Sequence, residues 1–148
     1  MRTILILTVC STACWAGSIL GTWRMDRARS RFAGPDQPRS FTVRIEPHAK
    51  GRVFTLDRLE ADGRTTSISS VLYLDGTSHD FQDFACSGTQ SSRWQDERTI
   101  EIRRVCSNGE SIWRIRESAE NSRELTIEIT EKSRDGSTLG WRVVLKRQ

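Results

Sequence analysis

The chain has 148 residues, 28% of them charged, with 23 Lys+Arg against 19 Asp+Glu and a formal net charge of +4. That length suits one domain with a substantial core. Its basic residues alternate with acids, as in "ERTIEIRRV" and "SRELTIEITEK", which excludes the clustered basic footprint of a nucleic-acid binder and reads as a solvated face.

The opening stretch "MRTILILTVCSTACWAG" runs from Arg2 through an apolar middle to small residues at Ala13, Ala16 and Gly17. This order predicts a signal peptide over residues 1–16, cut after Ala16 or alternatively after Ala13, and a single domain over 17–148. The apolar run falls well short of the ~20 residues of a membrane span, and no later segment approaches that length, so no transmembrane segment is expected. Cleavage removes one of the 23 basic residues and no acid, so the charge falls from +4 to +3. The expected location is secreted or periplasmic. A lipid anchor at Cys14, which follows "STA", is the lesser alternative, because Ser11 stands where a lipobox usually carries an aliphatic residue.

Beyond the leader, turn signals recur at Lys50-Gly51, Asp62-Gly63, Asp75-Gly76, Asn108-Gly109 and Asp135-Gly136. Such pairs supply the positive φ angles of tight hairpins. The runs between them are rich in Val, Ile, Thr, Phe and Trp, and none shows sustained helical spacing. Ten strands are predicted: 18–25, 40–47, 51–60, 65–74, 79–84, 88–95, 98–106, 110–118, 123–131 and 138–147. Short antiparallel links make a meander, and a meander of about 8–10 strands best removes its edges by closing into an up-and-down barrel. A two-sheet sandwich is the alternative, although it usually needs longer crossing connections.

Alternation along these strands names an inward set. Phe41, Val43 and Ile45 share one face, as do Leu125, Ile127 and Ile129, and Leu139, Trp141, Val143 and Leu145. Trp113 and Ile115 turn inward, against Arg114 and Arg116. Ile100 and Ile102 share their face with Arg104 and Cys106. Arg104 is therefore either an inward cation that meets a ligand's acidic head or a rim residue facing water.

Two of the four cysteines, Cys10 and Cys14, lie in the leader. The remaining pair, Cys86 and Cys106, is expected to form a disulfide in an exported chain. A three-residue loop at 95–97 would set Trp94 opposite Arg98 and so Cys86 opposite Cys106, at a Cα separation of ~4.5–5.5 Å. A redox-active pair would want C-x-x-C spacing and a helix N-terminus.

The run "HDFQDFAC" gathers His79, Asp80, Asp83 and Cys86. In a strand 79 and 83 face one way, 80 and 86 the other, so no metal site is expected. There is no G-x-S-x-G elbow, phosphate-cradling glycine loop or H-E-x-x-H helix. No residue argues for catalysis, and no cofactor is implied. Trp23, Trp113 and Trp141 are left as wall or floor residues of an apolar pocket.

The first strand carries Gly21-Thr22-Trp23, and a G-x-W there, followed by a meander, resembles the lipocalin arrangement. In that superfamily the Trp closes one barrel end and an Arg from the last strand packs across it. Trp23 matches the first role, and Arg142 is the candidate for the second. "GTWRMDRARSRFAGPDQP" and the tail "DGSTLGWRVVLKRQ" look like the openings and closing strands of small exported bacterial proteins of lipocalin-like type. The resemblance covers the two ends of the chain and reaches the middle only through its strand-and-turn rhythm. It implies fold and export but no ligand, and the cysteine pair departs from its pattern. The functional expectation is a barrel binding a small apolar or acidic amphipathic ligand. The alternative is a filled barrel acting through its surface on an unknown protein partner. A cavity of roughly 300 Å³ or more would favour the first.

Overall fold

The computed structural model describes residues 19–35 and 37–148. The expected signal peptide, its two cleavage positions and Cys14 lie outside the described residues. The ten strands are β1 (Gly21–Met25), β2 (Ser40–His48), β3 (Gly51–Leu59), β4 (Thr65–Leu72), β5 (His79–Gln82), β6 (Ser87–Asp96), β7 (Thr99–Cys106), β8 (Gly109–Glu117), β9 (Glu124–Ser133) and β10 (Thr138–Arg147). They form one antiparallel sheet in the order β4-β3-β2-β1-β10-β9-β8-β7-β6-β5. Because the first strand pairs with both β2 and β10, the sheet rolls into a nearly closed up-and-down barrel.

The seam lies between β4 and the β5–β6 hairpin. Here the ladder gives way to separate bonds: Gln90 Nε2 donates to the Val71 carbonyl over 3.4 Å and Leu74 N–H to Ser92 Oγ over 3.0 Å. Gly76 N–H donates to the Ser92 carbonyl over 2.9 Å.

The predicted inward faces are the core. Phe41, Val43, Ile45, Ile100, Ile102, Ile115, Leu125, Ile127, Ile129, Val143 and Leu145 are buried. Leu139 departs from expectation. It stands at the start of β10, past the packed interior, and is 49% exposed. Val144 is buried although it points away from the core. The segment after β1, with a single 3-10 turn over Arg27–Arg29, runs beside it. Asp26 N–H donates to the Val144 carbonyl, and Val144 N–H donates to Ser30 Oγ.

The outer surface explains the interleaved charges. Register aligns Arg93, Glu101, Arg114, Glu128 and Arg142 on one rung across five strands. Ion pairs run along it: Arg93–Glu101 at 3.0 Å, Arg114–Glu101 at 3.3 Å and Arg142–Glu128 at 3.8 Å. Exposed pairs of this kind contribute at most ~1 kcal/mol each. Their effect here is to hold these five charges on the water side of the sheet.

The turns work as the Asx-Gly pairs predict. Gly63, Gly76 and Gly136 have φ of 90°, 72° and 87°. The aspartates before them accept from the N–H two residues on, Asp62 from Arg64, Asp75 from Thr77 and Asp135 from Ser137. Asp96 accepts likewise from Arg98. Hydrogen bonds to the ionised form hold these carboxyls below their ordinary range. The Arg64, Thr77 and Arg98 N–H groups are the main cause at Asp62, Asp75 and Asp96, and the Ser137 hydroxyl at Asp135. A depressed carboxyl contributes stability above its unfolded pKa and loses it as pH falls through the folded one. The melting temperature should thus fall steadily once the pH drops below ~4. A flat thermal-unfolding profile between pH ~6 and ~2 would contradict this account.

Candidate ligand-binding site

Arg104 sits two residues before the end of β7 and, on the alternation of Ile100 and Ile102, points inside. It is 4% exposed, so it is no rim residue. Its strand neighbours shape its surroundings. Opposite it on β6 is Gln90, whose Oε1 accepts from Arg104 Nε over 2.9 Å. From β8 comes Trp113, whose ring centre is 4.7 Å from the guanidinium carbon; from β5 comes Phe81, at 4.5 Å. The guanidinium is thus held against two aromatic faces by cation–π attraction. Its Nη2 is buried without a hydrogen-bond partner.

Burial removes water from this cation and pushes its pKa down to about 10, with the charge of Asp83 opposing weakly. A desolvated guanidinium with a spare N–H is a ready receptor for a carboxylate.

Arg104 lines a cavity of about 260 Å³, short of the roughly 300 Å³ that would favour a ligand pocket on volume alone. Leu56, Ile68, Trp113, Trp141 and the disulfide give it apolar walls, and it opens among the 83–86, 108–111 and 131–133 segments. Trp113 meets Phe54 edge-to-face, with ring centres 6.2 Å apart, and its indole N–H donates to Ser111 Oγ. Trp141 meets Phe32 of the β1–β2 link in the same manner at 5.7 Å.

Three of the four residues expected at the pocket, Arg104, Trp113 and Trp141, therefore converge on one cavity. Trp23 does not. It is fully buried at the opposite end, where its indole N–H donates to the Ile19 carbonyl over 2.9 Å. The arginine across it is Arg147, 4.1 Å above the ring. Arg142, the expected partner, points outward into the charged rung. Strand parity decides the difference. Arg147 lies on the same face of β10 as Val143 and Leu145, whereas Arg142 alternates with Trp141 and Val143.

The Cys86–Cys106 disulfide is present, with a Cα separation of 5.2 Å, but the expected register is not. Trp94 faces Ile100 and Gly88 faces Cys106, and the register shifts again between Trp94 and Asp96. Cys86 lies just before β6 begins and turns back to meet Cys106. A Cβ at Gly88 would overlap the Val105 carbonyl oxygen, so glycine there permits the close approach of the two strands beside the bridge. Sequence reasoning also passed over Arg58, Phe81 and Gln90. Arg58 shares a face of β3 with Phe54 and Leu56, so its inward direction was legible.

Strand order, closure and cavity define an all-β up-and-down barrel of the lipocalin-like and fatty-acid-binding-protein-like fold. Wild-type fluorescent protein UnaG is similar, at 12% identity and a TM-score of 0.55, covering 88% of this chain and 97% of that one. Zebrafish ileal bile acid-binding protein complexed with cholic acid is also 12% identical, with a TM-score of 0.54 and coverage of 87% and 98%. As-p18, an extracellular fatty acid binding protein, is 12% identical, with a TM-score of 0.52 and coverage of 87% and 95%. At such identities the likeness defines the fold alone. No family model matches the chain, and no curated protein matches it.

Proposed function

We propose that this protein is a secreted or periplasmic carrier of a small acidic amphipathic molecule, with the acid on Arg104 and the apolar part against Trp113 and Trp141. The observation that carries the reading is the Arg104 guanidinium, buried at the cavity with Nη2 unpartnered. Burying a cation without its counter-charge is costly, and a carboxylate donated by a ligand offsets that cost. Proteins of similar shape that hold cholic acid or are described as fatty acid binding support it. The leader's composition and the disulfide support export, since disulfides persist in oxidising compartments.

Trp113 and Trp141 provide the readout. The oxidised protein is titrated with a medium-chain fatty acid and with the matching alcohol while tryptophan fluorescence is followed. The acid should bind at least ~10-fold more tightly, the margin of a charge-assisted hydrogen bond over a neutral one. Equal binding of the two, or none of either, would overturn the assignment.

A further inference from the structure

Arg104 is not alone in the cavity. Arg58, on β3, also lines it. The Arg58 guanidinium carbon lies 5.2 Å from the centre of the Trp141 ring, and its side chain is 17% exposed. Nη2 is paired with Glu60 over 3.2 Å, while Nε is buried without a partner. Glu60 is itself engaged on its other oxygen by the Thr66 hydroxyl, which fixes the pair in place. The cavity therefore presents two arginines, each against a tryptophan and each with an unanswered N–H.

The two tryptophans are set apart by the sheet. Trp113 and Trp141 both register with Ile129, from either side of β9. The arginines likewise enter from different strands, Arg104 from β7 and Arg58 from β3, which are not neighbours in the sheet. Two carboxylates on one molecule can meet one arginine each.

We propose that Arg58 is a second acid anchor and that the ligand is a dicarboxylic acid with an apolar spacer. The proposal rests on the reading of the barrel as a carrier of acidic molecules. It specifies the ligand class by the juxtaposition of Arg104 on Trp113 with Arg58 on Trp141.

The test compares a medium-chain monocarboxylic acid with the α,ω-dicarboxylic acid of the same length, by calorimetric titration of the oxidised full-length domain. The dicarboxylate should bind the unaltered protein at least ~10-fold more tightly. In Arg58→Met the ratio of the two affinities should collapse toward one, because the second acid then has no partner. Equal affinities in the unaltered protein would overturn the dicarboxylate proposal and leave the carrier reading standing. Failure of both acids to bind would overturn the carrier reading and this proposal with it. The comparison in the unaltered protein needs no variant, so the proposal stays testable even if Arg58→Met folds poorly.

Discussion

Replacing Arg104 with methionine is expected to weaken binding of an acidic ligand by roughly 30-fold to 5,000-fold, the usual range for removing one partner of a buried charge pair. Burial lowers the Arg104 pKa to about 10, which puts the penalty for holding it charged near 3 kcal/mol, or about 1.4 kcal/mol per unit. Against this stand two cation–π contacts of ~0.5–2 kcal/mol each and the hydrogen bond to Gln90, worth about 1–2 kcal/mol. The two sides are of the same order, so the empty barrel should lose no more than ~3 kcal/mol of stability.

The sign of the pH effect follows from the depressed pKa. Above pH ~10 the unfolded state binds more protons at this site than the folded one, so the Arg104 contribution to stability rises with pH there, and the methionine variant lacks that rise. Calorimetric affinities and paired chemical denaturation check both halves. A variant that keeps full acid affinity would remove Arg104 from the site.

Loss of the Cys86–Cys106 bridge has the second large effect. The bridge closes a segment with a sequence separation of 20. By the loop-entropy relation this stabilises the fold by about 3 kcal/mol, and for a domain of this size the Cys86→Ser/Cys106→Ser variant should melt ~10 °C lower. Thermal unfolding with and without reductant separates the causes. Reductant should bring the unaltered protein down to the variant's transition and leave the variant where it is. If both proteins melted together under oxidising conditions, the bridge would have no part in stability. Because the bridge also forms part of the cavity wall, acid affinity should fall alongside.

The strands were legible because their signals are local. Asx-Gly pairs mark the turns, and period-two alternation marks which side of each strand is buried, so Phe41, Ile102 and Ile127 announce the core. Arg104 and Trp113 followed from the same parity. The cysteine pairing was legible for a different reason, since only two cysteines lie beyond the expected leader and they have a single intramolecular pairing. What failed was information that alternation does not hold. The β6–β7 pairing sits two residues from the expected register, with Trp94 facing Ile100 and not Arg98, and a two-residue shift leaves unchanged which residues face in. Leu139 alternates with the core yet stands beyond it, because period two says which face and not how far along the barrel. Gln90 and Phe81 reach Arg104 from strands that the turn signals did not align with it.

The charged rung across the outside of the barrel has a kinetic meaning. Arginine and glutamate alternate from Arg93 to Arg142 at strand spacings of ~5 Å, less than the ~8 Å over which physiological salt screens a charge. Opposite signs thus cancel close to the surface, and that wall casts little field into solution. An acidic solute approaching from this side diffuses in unguided, at a rate that added salt changes little, and meets Arg104 and Arg58 only within the cavity, out of bulk water.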